Sequence, residues 1–408
     1  MYAKSLSISN FKCFSQAQMD CQYPGRPDGA ALALPNVNLV LGDNGGGKSS
    51  VLRALAIAVL GQFLNQSGFV PWRLVRRTMQ VNPIQAELAL AVSENQAAGE
   101  FISHEIFDFV EGAERLLETR LQRDISNGLD ILHSHSRFNP ATSEGSYFVI
   151  GYGATRRLEI GDYSESQARR TRGVHYGRVA SLFEDHLALR PMQAWAPRLR
   201  NKAPETFTQV VAKLNQVLPQ NVRFAGEFED EDGPPIFLFN NNPTPLAALS
   251  DGYKSFIGWV ADLIGQLAEV ADGAQLDSVS GIVLLDEIDL HLHPAWQRVV
   301  VPNLAQAFPK LQFFFTSHSP LVAATVQHQN IFVTQIGPDG GATLAQLGEH
   351  VHGRSVEDLL LSSYFGLDTT RPEAFARESQ SLFERAAQGD AQAALDFLQK
   401  LTGKAPNP

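Results

Sequence analysis

Apolar and polar positions along the chain mark two blocks of α/β core, one near each end. Ala3–Ser9 alternates with the period of two expected of a half-buried strand. NVNLVLG (Asn36–Gly42) is a short apolar strand running into glycines, and Val51–Leu64 is apolar nearly all round. A helix of that kind belongs between layers rather than on a surface. Toward the other end, GIVLLDE (Gly281–Glu287) and LQFFFTSH (Leu311–His318) are continuous apolar runs of the type buried in parallel sheets. Both end in polar residues, and ligands of open α/β sheets bind at the carboxyl ends of strands. NIFVTQIG (Asn330–Gly337) reads as one more strand.

The stretch between the blocks has a different pattern. Gln85–Val92 alternates as a strand, whereas Glu100–Leu132 and Met192–Val217 read as largely helical. NVRFAGEFEDEDGPPIFLFN (Asn221–Asn240) predicts two strands joined by an acidic Gly-Pro turn. From Ser355 the pattern is helical and closes in a frayed tail, LTGKAPNP. With neither an internal repeat nor a long heptad run, the middle segment is expected to be a compact lobe rather than a coiled-coil arm. The expected division is residues 1–92 as the first part of the core, 93–220 as a mainly helical insertion lobe, 221–350 as the second part of the core and 351–408 as a helical tail.

Composition changes this picture little. Hydrophobic residues make up 44% and charged residues 19% of the 408, ordinary for a chain that buries a sizeable core. Cys13 and Cys21 form no metal or redox spacing, and two cysteines suit a reducing compartment. MYAKSLSISNFKCF lacks the apolar core of a signal peptide, and the apolar run Val51–Leu64 is too short to span a bilayer. A soluble, cytoplasmic protein with no membrane partner is expected. Net charge is −10, yet Ala154–Lys202 carries ten Lys/Arg against five Asp/Glu. That basic segment is a candidate nucleic-acid face, or simply a solvated helical surface.

The chemistry-bearing signal is GDNGGGKSS (Gly42–Ser50), which satisfies the spacing G-x-x-x-x-G-K-[ST]. Glycines let the backbone wrap around phosphates with its N–H groups inward. Asn44, Gly45, Gly46, Gly47, Lys48, Ser49 and Ser50 are therefore the expected cradle for ATP, with Lys48 on the β/γ-phosphates and the Ser49 hydroxyl on Mg²⁺. In GIVLLDEIDLHLHP (Gly281–Pro294), Asp286 ends a buried strand where a Mg²⁺-binding carboxylate belongs, and Glu287 follows as the base or orienting group for an attacking water. His318 ends the next strand and is a candidate γ-phosphate sensor. His291, His293 and His318 lack an orienting carboxylate pattern, which argues against zinc. His133 and His135 lie in a polar stretch and read as surface.

Four elements together, NFKCF with GDNGGGKSS, then LSDGYKS, LLDEIDLHLHP and FFFTSHSP, resemble the ABC-type ATPase superfamily in its SMC, RecF and OLD branch. DEIDLHLHPAWQ and FTSHSPLV look most like the ATPases of Septu and retron-associated antiphage systems. The resemblance implies an α/β P-loop NTPase head with a mixed sheet, a compact helical insertion and a helical tail. It implies Mg²⁺-dependent ATP hydrolysis by Glu287, Asp286 and a switch histidine, His318, with Ser250 and Gly252 contacting ATP held by a second copy in a head-to-tail homodimer or larger homo-oligomer. Asp251 and Tyr253 depart from the superfamily's Leu-Ser-Gly-Gly-Gln, and His293 stands where an aspartate is usual. The Q-loop glutamine has no clear counterpart: Tyr147–Arg157 offers Tyr152 and Arg156 instead, with Gln80 as another candidate.

LSDGYKS (Leu249–Ser255) fits this role physically. Gly252 begins a helix whose apolar positions Phe256, Ile257, Val260, Leu263, Ile264 and Leu267 face one core, so its N-terminus is a fixed anion-binding tip with Ser250 as an added donor. Asp251 weakens closure around a γ-phosphate unless Lys254 or Mg²⁺ compensates. The residues after His318 carry no Toprim-like acidic pattern or HNH-like cluster, so a nuclease effector of HNH type is expected as a separate chain. A RecF-like DNA-repair ATPase binding duplex through residues 154–202 and a slow ATP sensor are the alternatives. A transporter domain is disfavoured by the long spacing between phosphate loop and signature.

Overall fold

The computed structural model describes residues 2–26, 32–60, 64, 74–76, 85–93, 114–124, 129–135, 148–158, 174–185, 187–230, 233–337 and 340–402. Two compact units result, Met1–Gly353 and Arg354–Pro408. The first is built on one mixed sheet whose strands are β1 (Tyr2–Phe11), β2 (Phe14–Asp20), β3 (Val37–Gly42), β4 (Gln85–Ser93), β5 (Glu114–Asp124), β6 (Leu129–His135) and β7 (Phe148–Tyr152). A two-residue pairing, β8 (Arg157–Leu158) with β9 (Ala188–Leu189), and an antiparallel trio, β10 (Val222–Phe228), β11 (Pro235–Phe239) and β12 (Asn242–Pro245), lie outside it. The main sheet is completed by β13 (Gly281–Leu285), β14 (Leu311–Thr316), β15 (Ile331–Ile336) and β16 (Ala342–Ala345). Its order is β6-β5-β4-β1-β2-β16-β15-β3-β14-β13-β7.

The sheet has two characters. β15, β3, β14, β13 and β7 are parallel neighbours. They read as continuous apolar runs because both faces are covered: every residue of β7, β13 and β14 is buried. Parallel registers such as Leu285↔Phe315, Leu285↔Tyr152 and Thr316↔Val40 bring all their carboxyl ends to one edge. β1, β2, β4, β5 and β6 form an antiparallel half.

Helix α1 (Lys48–Leu60) packs on this sheet with ten of its thirteen residues buried, as its all-round apolar pattern predicts. It shares a core with Leu6, Ile8, Val40, Ile282, Leu284 and Phe314. A fully buried side chain of this kind contributes about 1.5–3 kcal/mol, so the loop that precedes α1 is mounted on a firmly held element. Helices α2 (Pro204–Val217), α3 (Asp251–Ala271) and α4 (Val300–Ala307) each bury an apolar stripe as well. Phe207 of α2 closes against Phe224 and Phe228 of the small sheet, with ring centroids 6.4 and 6.3 Å apart.

The middle segment departs from the helical expectation. β5 pairs with β4 and β6 with β5, extending the main sheet where Glu100–Leu132 had suggested helix, and β7, whose stretch Tyr147–Arg157 reads as a strand, forms the edge of the parallel half beside β13. ERLLETRLQRD is rich in good helix formers without strict alternation, but pairing to a neighbouring strand overrides local propensity. The span 93–220 is therefore strand in its described first half and, apart from the two residues of β9, largely helical from Val174 onward. β12 was likewise not expected. Gln80 lies outside the described residues.

The second unit holds helices Val356–Leu360, Glu373–Ala387 and Ala391–Thr402. Its two longer helices meet through Phe383 and Phe397, 5.7 Å between centroids. Asp390 tops the second of them, accepting from the N–H groups of Gln392 and Ala393. No helix among the described residues is long and apolar enough to cross a membrane.

Candidate nucleotide site

The parallel edge assembles the site from four strand ends. β3 ends at Gly42, the loop Asp43–Gly47 follows, and α1 begins at Lys48. Gly47 adopts φ 100°, and a Cβ there would lie 2.5 Å from Cys13 Sγ and 2.8 Å from Phe14 Cζ, so the position requires glycine twice over. Asn44 and Gly45 are exposed, Gly46 is buried, and Ser49 and Ser50 are half-buried on the first turn of α1. The Lys48 ammonium reaches back over the loop, donating to the carbonyls of Gly42 and Asp43 at 2.9 Å each. Burial lowers its pKa, while the carboxylates of Asp286, Glu287, Asp43 and Asp289 act in the opposite direction.

Two strands away, Asp286 is buried beyond the end of β13. Its backbone N–H donates to the Tyr152 carbonyl at 2.9 Å, and its Oδ1 accepts from the Thr316 hydroxyl at 2.5 Å. The same Thr316 oxygen accepts the Glu287 N–H at 2.7 Å. One hydroxyl at the end of β14 thus fixes both carboxylate residues at once. Glu287 has φ 48°, a left-handed conformation that turns its half-exposed side chain out of the strand direction. The Asp289 Oδ1 is buried with no hydrogen-bond partner.

His318 follows Thr316 and Ser317 at the end of β14, between the strands that carry the phosphate loop and the carboxylates, and is half-buried. The turn is stiffened by Ser319, whose hydroxyl caps Leu321 and Val322 and donates to Gln297 at 2.6 Å.

Sequence reasoning missed Thr316, although a threonine directly after the Phe313–Phe315 run at a strand end marks it. It saw Arg156 only as a residue where a glutamine was sought. Arg156 is 4% exposed, has φ 28°, and donates to the Glu287 carbonyl. Burial pushes its pKa down to about 10, opposed by Asp286, Asp289 and Glu287.

The chain places Ser250 and Gly252 elsewhere. Ser250 is exposed as the residue before α3, and Gly252 sits so close to the turn after β13 that a Cβ would meet the His291 carbonyl at 2.7 Å. Tyr253, standing where the superfamily has glutamine, accepts from Asn221 at 2.6 Å and meets Trp296 edge-on at 4.3 Å. Asp251 is paired with Lys254 at 2.7 Å, so the acid of the signature carries its own counter-charge. The basic segment is partly spent internally: Arg156 is buried, Arg178 bonds Gln266 at 3.1 Å, and Arg190 pairs with Glu269 at 2.5 Å. Arg198 and Lys202 are exposed, while Arg169, Arg170 and Arg172 lie outside the described residues.

The residues at this edge fit a magnesium nucleotide. Gly42, Gly46 and Gly47 leave no room for a Cβ, a buried ammonium faces the loop, and a buried carboxylate stands two strands away on the same edge, with the Asp289 Oδ1 unpartnered three residues on. Mg²⁺ in such sites takes only one or two protein oxygens and fills its shell with phosphates and water.

A family model described as "AAA domain, putative AbiEii toxin, Type IV TA system" matches residues 37–324, from the start of β3 through the turn after β14. The Septu protein PtuA of Bacillus mycoides (strain KBAB4) is 26% identical over 376 residues, 91% of this chain and 46% of that protein. The "Retron Ec83 probable ATPase" of Escherichia coli is 41% identical over 100 residues, 24% of this chain and 18% of that one. The chain thus spans about half the length of the first relative and a smaller share of the second. Among solved structures, an Smc head domain with an extended coiled coil, bound to the C-terminal domain of ScpA derived from Pyrococcus furiosus, matches with a TM-score of 0.51 at 15% identity. That match covers 85% of this chain and 96% of the other, and at this identity the likeness is one of fold.

Proposed function

The chain belongs to this AAA-domain family, with the head fold of ABC-type ATPases of the SMC and RecF branch, and on that premise we propose that it hydrolyses ATP with Mg²⁺ and closes head-to-tail on a second copy. The observation that carries this reading is the shared edge of β3, β14 and β13, where the phosphate loop, His318 and the Asp286–Glu287 pair stand on adjacent strand ends. Asn44–Ser50 would hold the phosphates, and Ser49 with Asp286 would hold Mg²⁺. The bound magnesium nucleotide supplies the phosphoanhydride and neutralises part of its charge.

The chain's own groups do the rest. Lys48 leaves the carbonyls of Gly42 and Asp43 to meet phosphate oxygens. Glu287 orients the attacking water and takes its proton, held in place through Thr316. His318 contacts the γ-phosphate from between the two. Ser250 and the amides at the tip of α3 serve the nucleotide of the second copy, and the Asp251–Lys254 pair limits the repulsion Asp251 would cause there.

The Septu and retron relatives favour a place in antiphage defence, in which closure regulates a separate nuclease of HNH type. A DNA-repair role through residues 154–202 is less favoured, because Arg156, Arg178 and Arg190 are engaged internally. Glu287→Gln tests the catalytic assignment: ATP affinity is retained and phosphate release falls by about 10²-fold or more, the range of a lost general base. Release at the parent rate would show that Glu287 is not the catalytic carboxylate.

A further inference from the structure

Glu287 is held in a conformation it would not choose. A non-glycine residue in the left-handed region is strained and persists only when its surroundings fix it. Thr316 takes its N–H at 2.7 Å. Its carbonyl accepts from Leu290 N–H at 3.0 Å and from the guanidinium of Arg156. Arg156 is itself left-handed and buried, four residues past the end of β7, and its Nε has no hydrogen-bond partner. Burying an arginine carries a heavy desolvation penalty, and packing alone would be served as well by an apolar side chain.

β7 also grips the helix that begins at the signature. The Tyr152 hydroxyl donates to Asp262 Oδ2 of α3 at 2.8 Å, and its ring lies 6.0 Å from that of Trp259, also on α3. The Tyr152 carbonyl accepts the Asp286 N–H. The Arg156 guanidinium stands 5.9 Å from the Trp259 ring centroid. Two routes therefore join α3 to the catalytic carboxylates, Asp262–Tyr152–Asp286 and Trp259–Arg156–Glu287, and both pass through β7 and its turn.

We propose that Arg156 is a positioning residue that holds the Glu287 carbonyl and, through Trp259, ties the orientation of the Glu287 carboxylate to the seating of α3. Contact at the Ser250–Gly252 tip then governs turnover rather than nucleotide affinity. Lysine cannot replace it fully, since the planar guanidinium can donate to the carbonyl while presenting its charge to the indole, whereas an ammonium is a single point charge on a flexible stem. This inference rests on the ATPase reading given above.

The test uses the full chain with Arg156→Met, Arg156→Lys and Arg156→Ala, and it reads ATP affinity, kcat and amide exchange. ATP affinity stays within about threefold of the parent while kcat falls about 30- to 100-fold in Arg156→Met, the range expected when a catalytic group is displaced without being removed. Free guanidinium ion at millimolar concentration restores part of the rate to Arg156→Ala. Without any nucleotide, amide hydrogen exchange at Ile288 and Leu290 quickens about tenfold in Arg156→Met, as expected of a turn that opens locally. Parent-like kcat, a parallel loss of affinity, or unchanged exchange would each overturn the proposal. Should Arg156→Met fail to fold, Arg156→Lys decides: a kcat about tenfold lower with affinity kept supports the role, and parent kcat refutes it. If the parent chain hydrolyses no ATP, the ATPase reading fails, and the exchange measurement still decides what Arg156 holds.

Discussion

The loop after β3 and the turn after β7 each bring a buried cation to the same carboxylates, by opposite means. The first is built from glycines, and its Lys48 rests on the carbonyls of Gly42 and Asp43. The second has an arginine in a backbone conformation that favours glycine, resting on the carbonyl of Glu287. Burial lowers both cations' pKa values, and Asp286, Glu287 and Asp289 oppose it in both. Where backbone must lie against a ligand, side chains are excluded and the spacing of glycines is visible in the sequence. Where a side chain supports backbone, only the packing reveals it.

If the two cations differ in task, their removal must differ in kind. Lys48→Ala is expected to weaken ATP binding by about 100-fold or more, the loss of a charge-assisted contact of about 3 kcal/mol, as read by equilibrium titration with a fluorescent ATP analogue. Arg156 variants keep that affinity. Equal losses would collapse the distinction between a ligand-binding cation and a backbone-supporting one.

A smaller effect sharpens the comparison from the neighbouring strand. Thr316→Val keeps the shape but leaves the Glu287 N–H and Asp286 Oδ1 without their shared partner. The expected loss is about 1–3 kcal/mol in thermal or chemical unfolding. An unchanged melting temperature would mean that Thr316 does not brace the pair.

The smallest effect lies outside the site and serves as its control. The Ala393 N–H, and after it Arg385, hold the Asp390 carboxyl below its usual range. A depressed carboxylate adds stability above its unfolded pKa, near 3.9, and loses it as pH falls through the lower folded value. Asp390→Asn should therefore flatten the acid limb of helix loss below about pH 4 and leave ATP turnover alone. The same acid limb in both proteins would remove Asp390 from the account.

Much of the parallel half was legible in the sequence, for a physical reason. Strands buried on both faces leave largely apolar runs, so β3, β13 and β14 stood out with their polar ends, and Gly42, Gly46 and Gly47 are glycines because a Cβ there would collide with its neighbours. The antiparallel edge was not legible. ERLLETRLQRD carries helix-forming residues, and its pairing with β4 and β6 makes it a strand. Arg156 was visible only as a residue in the place of a missing glutamine, because burial is not written in a residue's type. Asp251 was flagged as a liability at the signature with Lys254 as the remedy, and the two are paired.

The central claim is that a second copy completes the nucleotide site. Its most direct test is the mass of Glu287→Gln in solution with ATP and Mg²⁺, measured by light scattering with and without Ser250→Arg. Glu287→Gln is expected to show a doubled mass, or a larger multiple if the assembly grows. A return to the monomer mass is expected when Ser250→Arg is added, with one ATP still bound per chain. A single-chain mass for Glu287→Gln with ATP bound, or a doubled mass that survives Ser250→Arg, would contradict the claim.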